Sequence, residues 1–182
     1  MQKEKINRLN WGCGNTHPPR WINSDVKSGK GIQVVADIRQ GLPIANDRFD
    51  YAVSVHALSE LGYPELLPAL QELRRVLKPG GTLRLVLPDL LKSVEAFRAR
   101  DRDYFSVPND EVERLGSKLA VQLIWYGYTR SLFTPDFIEE LLFKAGFSSV
   151  DHCAFKQTRS RWPEIVELDN RERESLFVEA TK

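Results

Sequence analysis

Several residue types are scarce in this chain, and each shortage excludes a class of protein. The 182 residues include only two cysteines, and the three histidines lack metal-site spacing, so we expect reduced thiols and no zinc site. The formal net charge of +1 gives no electrostatic support to a nucleic-acid partner. No apolar run approaches the roughly 20 residues that span a membrane, and residues 1–5 contain no signal-peptide core. These shortages favour a cytoplasmic protein without a metal or a membrane span.

The composition that remains is typical of a globular domain. Hydrophobic residues make up 42% and charged residues 28% of the chain, whose length suits one domain. Strand-like and helix-like segments alternate, which favours an α/β fold with a mostly parallel sheet and helices on both faces. We predict strands at residues 6–11, 21–26, 32–37, 49–55, 82–87, 149–157 and 175–180. We predict helices at residues 63–77, 90–102 and 135–145.

Two further stretches are predicted to be irregular. Residues 78–81 read Lys-Pro-Gly-Gly, and a cation followed by two breakers is typical of a turn that ends a helix. Residues 159–174 interleave arginines with carboxylates, which predicts a solvated loop of mixed charge.

A glycine turn follows the first predicted strand. Gly12, Cys13 and Gly14 come directly after an apolar run, and glycine allows positive φ and close approach of a ligand to the backbone. A plain structural turn would have the same sequence. The ligand-binding interpretation of the turn is supported by Asp25 and Asp37, which lie near the ends of the next two predicted strands. Carboxylates at strand ends either cap a loop or bind a ligand.

The connection from this turn to the second strand is too short for a helix. Only residues 16–20 are available, and they include Pro18 and Pro19. The helix N-terminus that normally receives a phosphate is therefore absent or reduced to a turn. This argues against a dinucleotide and favours a nucleoside ligand without phosphates.

Several short motifs in a fixed order resemble the class I S-adenosylmethionine-dependent methyltransferases, and more closely the short bacterial predicted methyltransferases. The resemblance covers residues 9–90 and 133–147. It implies a Rossmann-like doubly wound sheet with an antiparallel C-terminal strand near one edge. It also implies S-adenosyl-L-methionine as cofactor, and a single domain, 1–182, with a substrate or lid insertion around 91–132. The motifs are Asn10-Trp11-Gly12-Cys13-Gly14-Asn15, Gly41-Leu42-Pro43, Phe49-Asp50 and Leu77-Lys78-Pro79-Gly80-Gly81.

The same resemblance implies a set of cofactor contacts. The glycine turn would pack on the methionyl part, Asp25 would bind the ribose hydroxyls and Asp37 would lie near the adenine amino group. A carboxylate suits a diol because it accepts two charge-assisted hydrogen bonds. The predicted cofactor-binding residues are Gly12, Cys13, Gly14, Asn15, Asp25, Asp37, Ile38, Val55 and His56.

The segment after the fourth predicted strand supplies two candidates for the catalytic base. Relatives commonly carry His-x-Leu-Glu-His-Leu after the fourth strand, whereas this chain has Glu60 in place of the second histidine. His56 is the first candidate base and Glu60 the second. A half-buried His56 that only packs on the cofactor is an equal alternative.

Four more residues are predicted to bind the methyl acceptor: Asp89, Trp125, Tyr126 and Tyr128. The aromatic residues could stack on a ring or attract the sulfonium, although a hydrophobic patch under a helix has the same composition. The resulting hypothesis is methyl transfer to an oxygen or nitrogen of a small molecule or glycan precursor. The alternative is a non-catalytic methyltransferase-like binding module.

Overall fold

One seven-stranded sheet organises residues 6–182, the part of the chain that the computed structural model describes. The strand order is β3-β2-β1-β4-β5-β7-β6, and β7 runs antiparallel to both neighbours while the other pairs are parallel. This order confirms the predicted Rossmann-like sheet with an antiparallel C-terminal strand. The prediction on residues 1–5 lies outside the described residues. The strands are β1 (Arg8–Trp11), β2 (Ile22–Asp25), β3 (Val34–Val35), β4 (Phe49–Val55), β5 (Leu77–Pro88), β6 (Ser149–Cys153) and β7 (Ser175–Thr181).

Four α-helices surround the sheet: α1 (Tyr63–Val76), α2 (Leu90–Arg98), α3 (Leu115–Ile124) and α4 (Pro135–Lys144). Helix α1 begins with Pro64 in its first turn, and the Glu65 carboxylate accepts the Gly62 amide at 2.6 Å. Within residues 6–182, every helix is too short or too polar to cross a bilayer.

The structure corrects three of the predicted boundaries. β5 begins at Leu77, so residues 78–81 form the start of a strand and not a turn; Gly80 supplies the positive φ of 71° there. The predicted strand 32–37 contracts to two residues, and the predicted helix 90–102 ends at Arg98. Helix α3 was not predicted.

The larger core lies between one sheet face and helices α1 and α4. Leu66, Leu70 and Leu73 of α1 recur at helical spacing and are fully buried, as is Ile138 of α4. The opposite face carries Tyr51 and Val53 of β4, because alternate residues of a strand point to opposite sides. The structure therefore buries both faces of β4, as its apolar sequence requires.

The segment 154–174 covers this opposite face, which corrects the prediction of a solvated loop. No helix connects β1 to β2 or β2 to β3 within the described residues, so the face needs another apolar cover. Ile165, in a 3-10 helix at Pro163–Val166, and Leu168 provide it by packing against Trp21 and Tyr51.

Buried ion pairs fasten this segment to the sheet. Arg84 of β5 is 0% exposed, and its Nε and Nη2 donate to the two Asp169 carboxylate oxygens at 2.7 and 2.6 Å. Its Nη1 donates to Glu179 of β7 at 2.7 Å. Glu179 also accepts the amides of Arg159 and Ser160 at 3.0 and 3.1 Å. The charges are thus paired and fully hydrogen-bonded, as burial demands.

Candidate active site

Two adjoining cavities open at the carboxyl ends of the parallel strands, where open α/β sheets bind ligands. The larger has a volume of about 1080 Å³ and the smaller about 100 Å³. All nine predicted cofactor-binding residues line the larger cavity. Four residues line both cavities and so mark their junction: His56, Glu60, Tyr128 and Arg171.

The glycine turn is held tightly against the residue that follows His56. Gly12 and Gly14 have φ of 65° and 51°. A Cβ on Gly12 would lie 2.1 Å from the Cβ of Ala57, whereas a Cβ on Gly14 would meet nothing within 4 Å. The Cys13 amide donates to the Ser24 carbonyl at 3.0 Å, which ties the turn to β2. Burial raises the pKa of the Cys13 thiol, so this side chain is a neutral wall of the cavity.

Asp25 lies at the end of β2 and accepts hydrogen bonds from backbone amides of the adjacent loops. Its Oδ2 accepts the Gly14 amide at 2.9 Å, and its Oδ1 accepts the Lys27 amide at 3.1 Å. The loop-capping role of this carboxylate is therefore present in the structure. Each oxygen keeps a further lone pair, so capping leaves acceptor capacity on the side of the cavity.

Asp37 accepts more hydrogen bonds from neighbouring protein groups than Asp25 does. It accepts the Arg39 amide at 3.0 Å and forms an ion pair with the Arg39 guanidinium at 2.6 Å. These contacts cap a 3-10 helix at Ile38–Gln40, and hydrogen bonding to Arg39 lowers the pKa of Asp37. A ligand that approached Asp37 would compete with this guanidinium.

His56 has an unusual backbone and a weakly basic ring. Its φ is 58°, a conformation that histidine adopts more readily than most residues. Its Nε2 lies 2.8 Å from the Ser175 hydroxyl oxygen. Burial, with a smaller effect of Arg171, lowers the pKa of His56 to about 3. The imidazole is therefore neutral at pH 7 and a poor proton acceptor there.

Glu60 differs from the other carboxylates of the site because its side chain has no hydrogen bond or ion pair within residues 6–182. It ends a 3-10 helix at Leu58–Glu60 and faces both cavities. Burial raises its pKa, and the nearby Asp25 charge raises it further.

The predicted acceptor residues are only partly brought together. Asp89 and Trp125 line the smaller cavity and Tyr128 lines both. Asp89 also caps α2, accepting the amides of Leu91 and Lys92 at 2.9 and 3.2 Å. Tyr126 lines neither cavity, and its hydroxyl donates to Glu111 at 2.6 Å.

Residues that the sequence analysis missed complete the walls. Asn170 and Arg171 enter the larger cavity directly after the buried Asp169, and Gln122 of α3 lines the smaller one. The apolar Ile165 and Leu168, set in a charged stretch, were the available signal that 154–174 packs on the sheet.

Comparisons with known proteins agree with this fold. The family model "Methyltransferase domain" matches residues 19–85. A demethylmenaquinone methyltransferase from Staphylococcus carnosus is 28% identical over 130 residues, which are 71% of this chain and 53% of that protein. The chain thus spans about half the length of this curated relative.

Two solved structures share the fold over almost the whole chain. A SAM-dependent methyltransferase from Thermotoga maritima, described as a possible histamine N-methyltransferase, is 21% identical with a TM-score of 0.59 and covers 100% of this chain and 84% of its own. The 1,6-didemethyltoxoflavin-N1-methyltransferase from Burkholderia thailandensis is 15% identical with a TM-score of 0.58. The match covers 96% of this chain and 70% of that protein. With the strand order and the matched family model, these similarities show that the chain has the fold of S-adenosylmethionine-dependent methyltransferases and is similar to them in sequence.

Proposed function

We propose that this chain transfers a methyl group from S-adenosylmethionine to an oxygen or nitrogen atom of a small molecule or glycan precursor. The observation that carries the proposal is the meeting of a large and a small cavity at His56 and Glu60. A cofactor in the larger cavity would present its methyl group at this junction, and an acceptor in the smaller cavity would attack it in line.

The cofactor would use the residues that line the larger cavity. The Gly12–Gly14 turn would receive the methionyl part, and the free lone pairs of Asp25 would accept the ribose hydroxyls. Glu60 and Asp25 place negative charge near the position of the sulfonium, which favours a cationic ligand.

Alignment and exclusion of water would supply most of the rate enhancement. A sulfonium methyl is already reactive, and good orientation alone lowers a barrier by about 7–11 kcal/mol. The neutral, weakly basic His56 would pack on the cofactor and donate or accept a hydrogen bond. Glu60, exposed to both cavities, would be the group that takes a proton.

The segment between β5 and α4 would form the acceptor side of the site. Helices α2 and α3 contact each other and provide Ser93 and Gln122 to the smaller cavity. We propose that residues 91–132 act as the substrate insertion or lid, within a single domain.

The acceptor does not follow from the relatives. Their names give three unrelated acceptors: demethylmenaquinone, histamine and 1,6-didemethyltoxoflavin. A non-catalytic binding module is the second candidate, and the low pKa of His56 together with Glu60 at the second histidine position favours it.

Calorimetric titration with S-adenosylhomocysteine tests the proposal. We expect binding to the unmodified chain, and Asp25→Ala should weaken it by about 10- to 100-fold, since hydrogen bonds to a charged group contribute roughly 1.5–3 kcal/mol. Asp110→Ala, an exposed carboxylate outside both cavities, is the matched control. Absence of binding would reject the function, and equal losses in both variants would reject the role of Asp25.

A methyl-transfer screen separates the two candidates. Labelled S-adenosylmethionine is incubated with the chain and a library of small metabolites and sugars. Label transferred to any acceptor supports the enzyme, whereas cofactor binding without transfer across the library supports the binding module.

A further inference from the structure

The smaller cavity has a charge pattern that narrows the acceptor. Its lining includes three carboxylates, Glu60, Asp89 and Glu174, but one guanidinium, that of Arg171. His56, which also lines the cavity, is neutral because burial lowers its pKa to about 3. The walls therefore carry an excess of negative charge.

The three carboxylates are not equally available. Glu174 is paired with Arg171 at 3.1 Å, and Asp89 accepts two amides at the start of α2. Glu60 has no such partner within residues 6–182, and it lies where both cavities meet. Its carboxylate is the one free to pair with a cation from the ligand.

A second, independent feature of the cavity is the side chain of Gln122. It is only 9% exposed, and its Oε1 accepts the Ser106 amide at 2.8 Å, which fixes the orientation of the amide group. Its Nε2 is buried without a hydrogen-bond partner. A buried donor left unpaired costs about 1–3 kcal/mol, and Gln122 lines the cavity, so a ligand oxygen could satisfy it.

From these features we infer that the smaller cavity binds a small amine that also carries a hydrogen-bond-accepting oxygen, and that the amine nitrogen receives the methyl group. Glu60 pairs with the amine and Gln122 donates to the oxygen. Trp125 and Tyr128 add aromatic walls, whose faces attract cations. The inference rests on the proposed function and names its substrate class.

The step balances without any further reactant. The ammonium first gives a proton to the Glu60 carboxylate. The freed nitrogen lone pair then attacks the methyl carbon, the C–N bond forms and the C–S bond breaks with its electron pair left on sulfur. The products are a methylated ammonium and neutral S-adenosylhomocysteine, and the Glu60 proton passes to water.

Ligand binding by saturation-transfer NMR, with the chain saturated with S-adenosylhomocysteine, tests the inference. The probes are matched pairs in which hydroxyl replaces amine: ethanolamine with ethylene glycol, 3-aminopropanol with 1,3-propanediol, and tyramine with tyrosol. Propylamine is the amine without an oxygen. We expect the amine of each pair to bind about tenfold or more tightly, and propylamine to bind more weakly than ethanolamine.

Two variants assign the effect to the named side chains. Glu60→Gln should abolish the preference for amines, whereas Glu140→Gln, an exposed carboxylate on α4, should preserve it. Gln122→Leu should remove the advantage of ethanolamine over propylamine. Circular dichroism and thermal unfolding verify that each variant is folded.

The outcomes are distinguishable from failure of the proposed function. If the unmodified chain does not bind S-adenosylhomocysteine, the proposed function fails first. If it does, equal or tighter binding of the alcohols, the absence of binding by every amine, or an undiminished preference in Glu60→Gln overturns the inference.

Discussion

Alanine at the first glycine of the turn should damage the protein far more than alanine at the second. Both residues have positive φ, which costs a residue with a Cβ about 1–2 kcal/mol. Only at Gly12 would the new Cβ meet Ala57, at 2.1 Å, whereas carbon atoms normally approach to about 3.5–4.0 Å. Gly14→Ala has the same backbone cost without the contact, and so serves as the matched control.

The steric cost can be estimated from overpacked cores. Forcing an extra methyl into a packed site costs about 1–3 kcal/mol, so Gly12→Ala should lose about 2–5 kcal/mol in total and Gly14→Ala about 1–2 kcal/mol. For a domain of this size, a difference of about 1–3 kcal/mol corresponds to about 2–12 °C in Tm.

Thermal unfolding of the two variants measures this difference, and a third variant identifies its cause. Ala57→Gly removes the atom that Gly12→Ala would strike, so the double variant should recover most of the steric cost in a double-mutant cycle. Equal Tm values for the two glycine variants, or no recovery in the double variant, would refute the packing of the turn on Ala57.

Three further predictions concern other groups around the site. With a pKa near 3 folded and about 6.5 unfolded, His56 contributes stability above pH 6.5 that is lost as pH falls toward 3. Urea unfolding at pH 8 and pH 5 should differ by about 2 kcal/mol from this residue alone, a difference absent from His56→Gln. Asp169→Ala leaves Arg84 buried with only one of its two carboxylate partners and should cost about 3–5 kcal/mol in urea unfolding. If Asp37 binds the cofactor, Arg39→Ala should strengthen and Asp37→Ala weaken the calorimetric affinity for S-adenosylhomocysteine, because the guanidinium competes for the carboxylate.

Each of these three predictions would be contradicted by one specific result. The same pH slope in His56→Gln would show that other groups produce it. A small loss in Asp169→Ala would show that Arg84 finds water when its partner is removed. Unchanged affinity in Asp37→Ala would restrict this residue to capping its short helix.

The sheet and the larger cavity were predictable because local patterns carry them. Asp25 ends β2 and the glycines of the turn directly follow β1, and parallel strands bring their carboxyl ends to one edge. Short motifs in the sequence therefore predicted that residues far apart in the chain lie in one cleft.

The rest of the site depends on contacts that sequence spacing does not encode. The carboxylate partners of Arg84, Asp169 and Glu179, lie 85 and 95 residues away along the chain. Helix α3 begins without a side-chain cap and has Gly116 in its first turn, so its start signal is weak and Gln122 was not predicted. The bonds of Asp25 and Asp37 to nearby amides depend on loop geometry.

The ion pair between Arg84 and Asp169, which holds the segment 154–174 on the sheet, also has a dynamic consequence. Release of 154–174 would bare the apolar face of β4 and at the same moment withdraw Asn170 and Arg171 from the larger cavity. Opening of this segment and loss of the ligand are therefore one cooperative event. In amide hydrogen exchange, a bound nucleoside should slow exchange throughout the segment, including amides that never touch it.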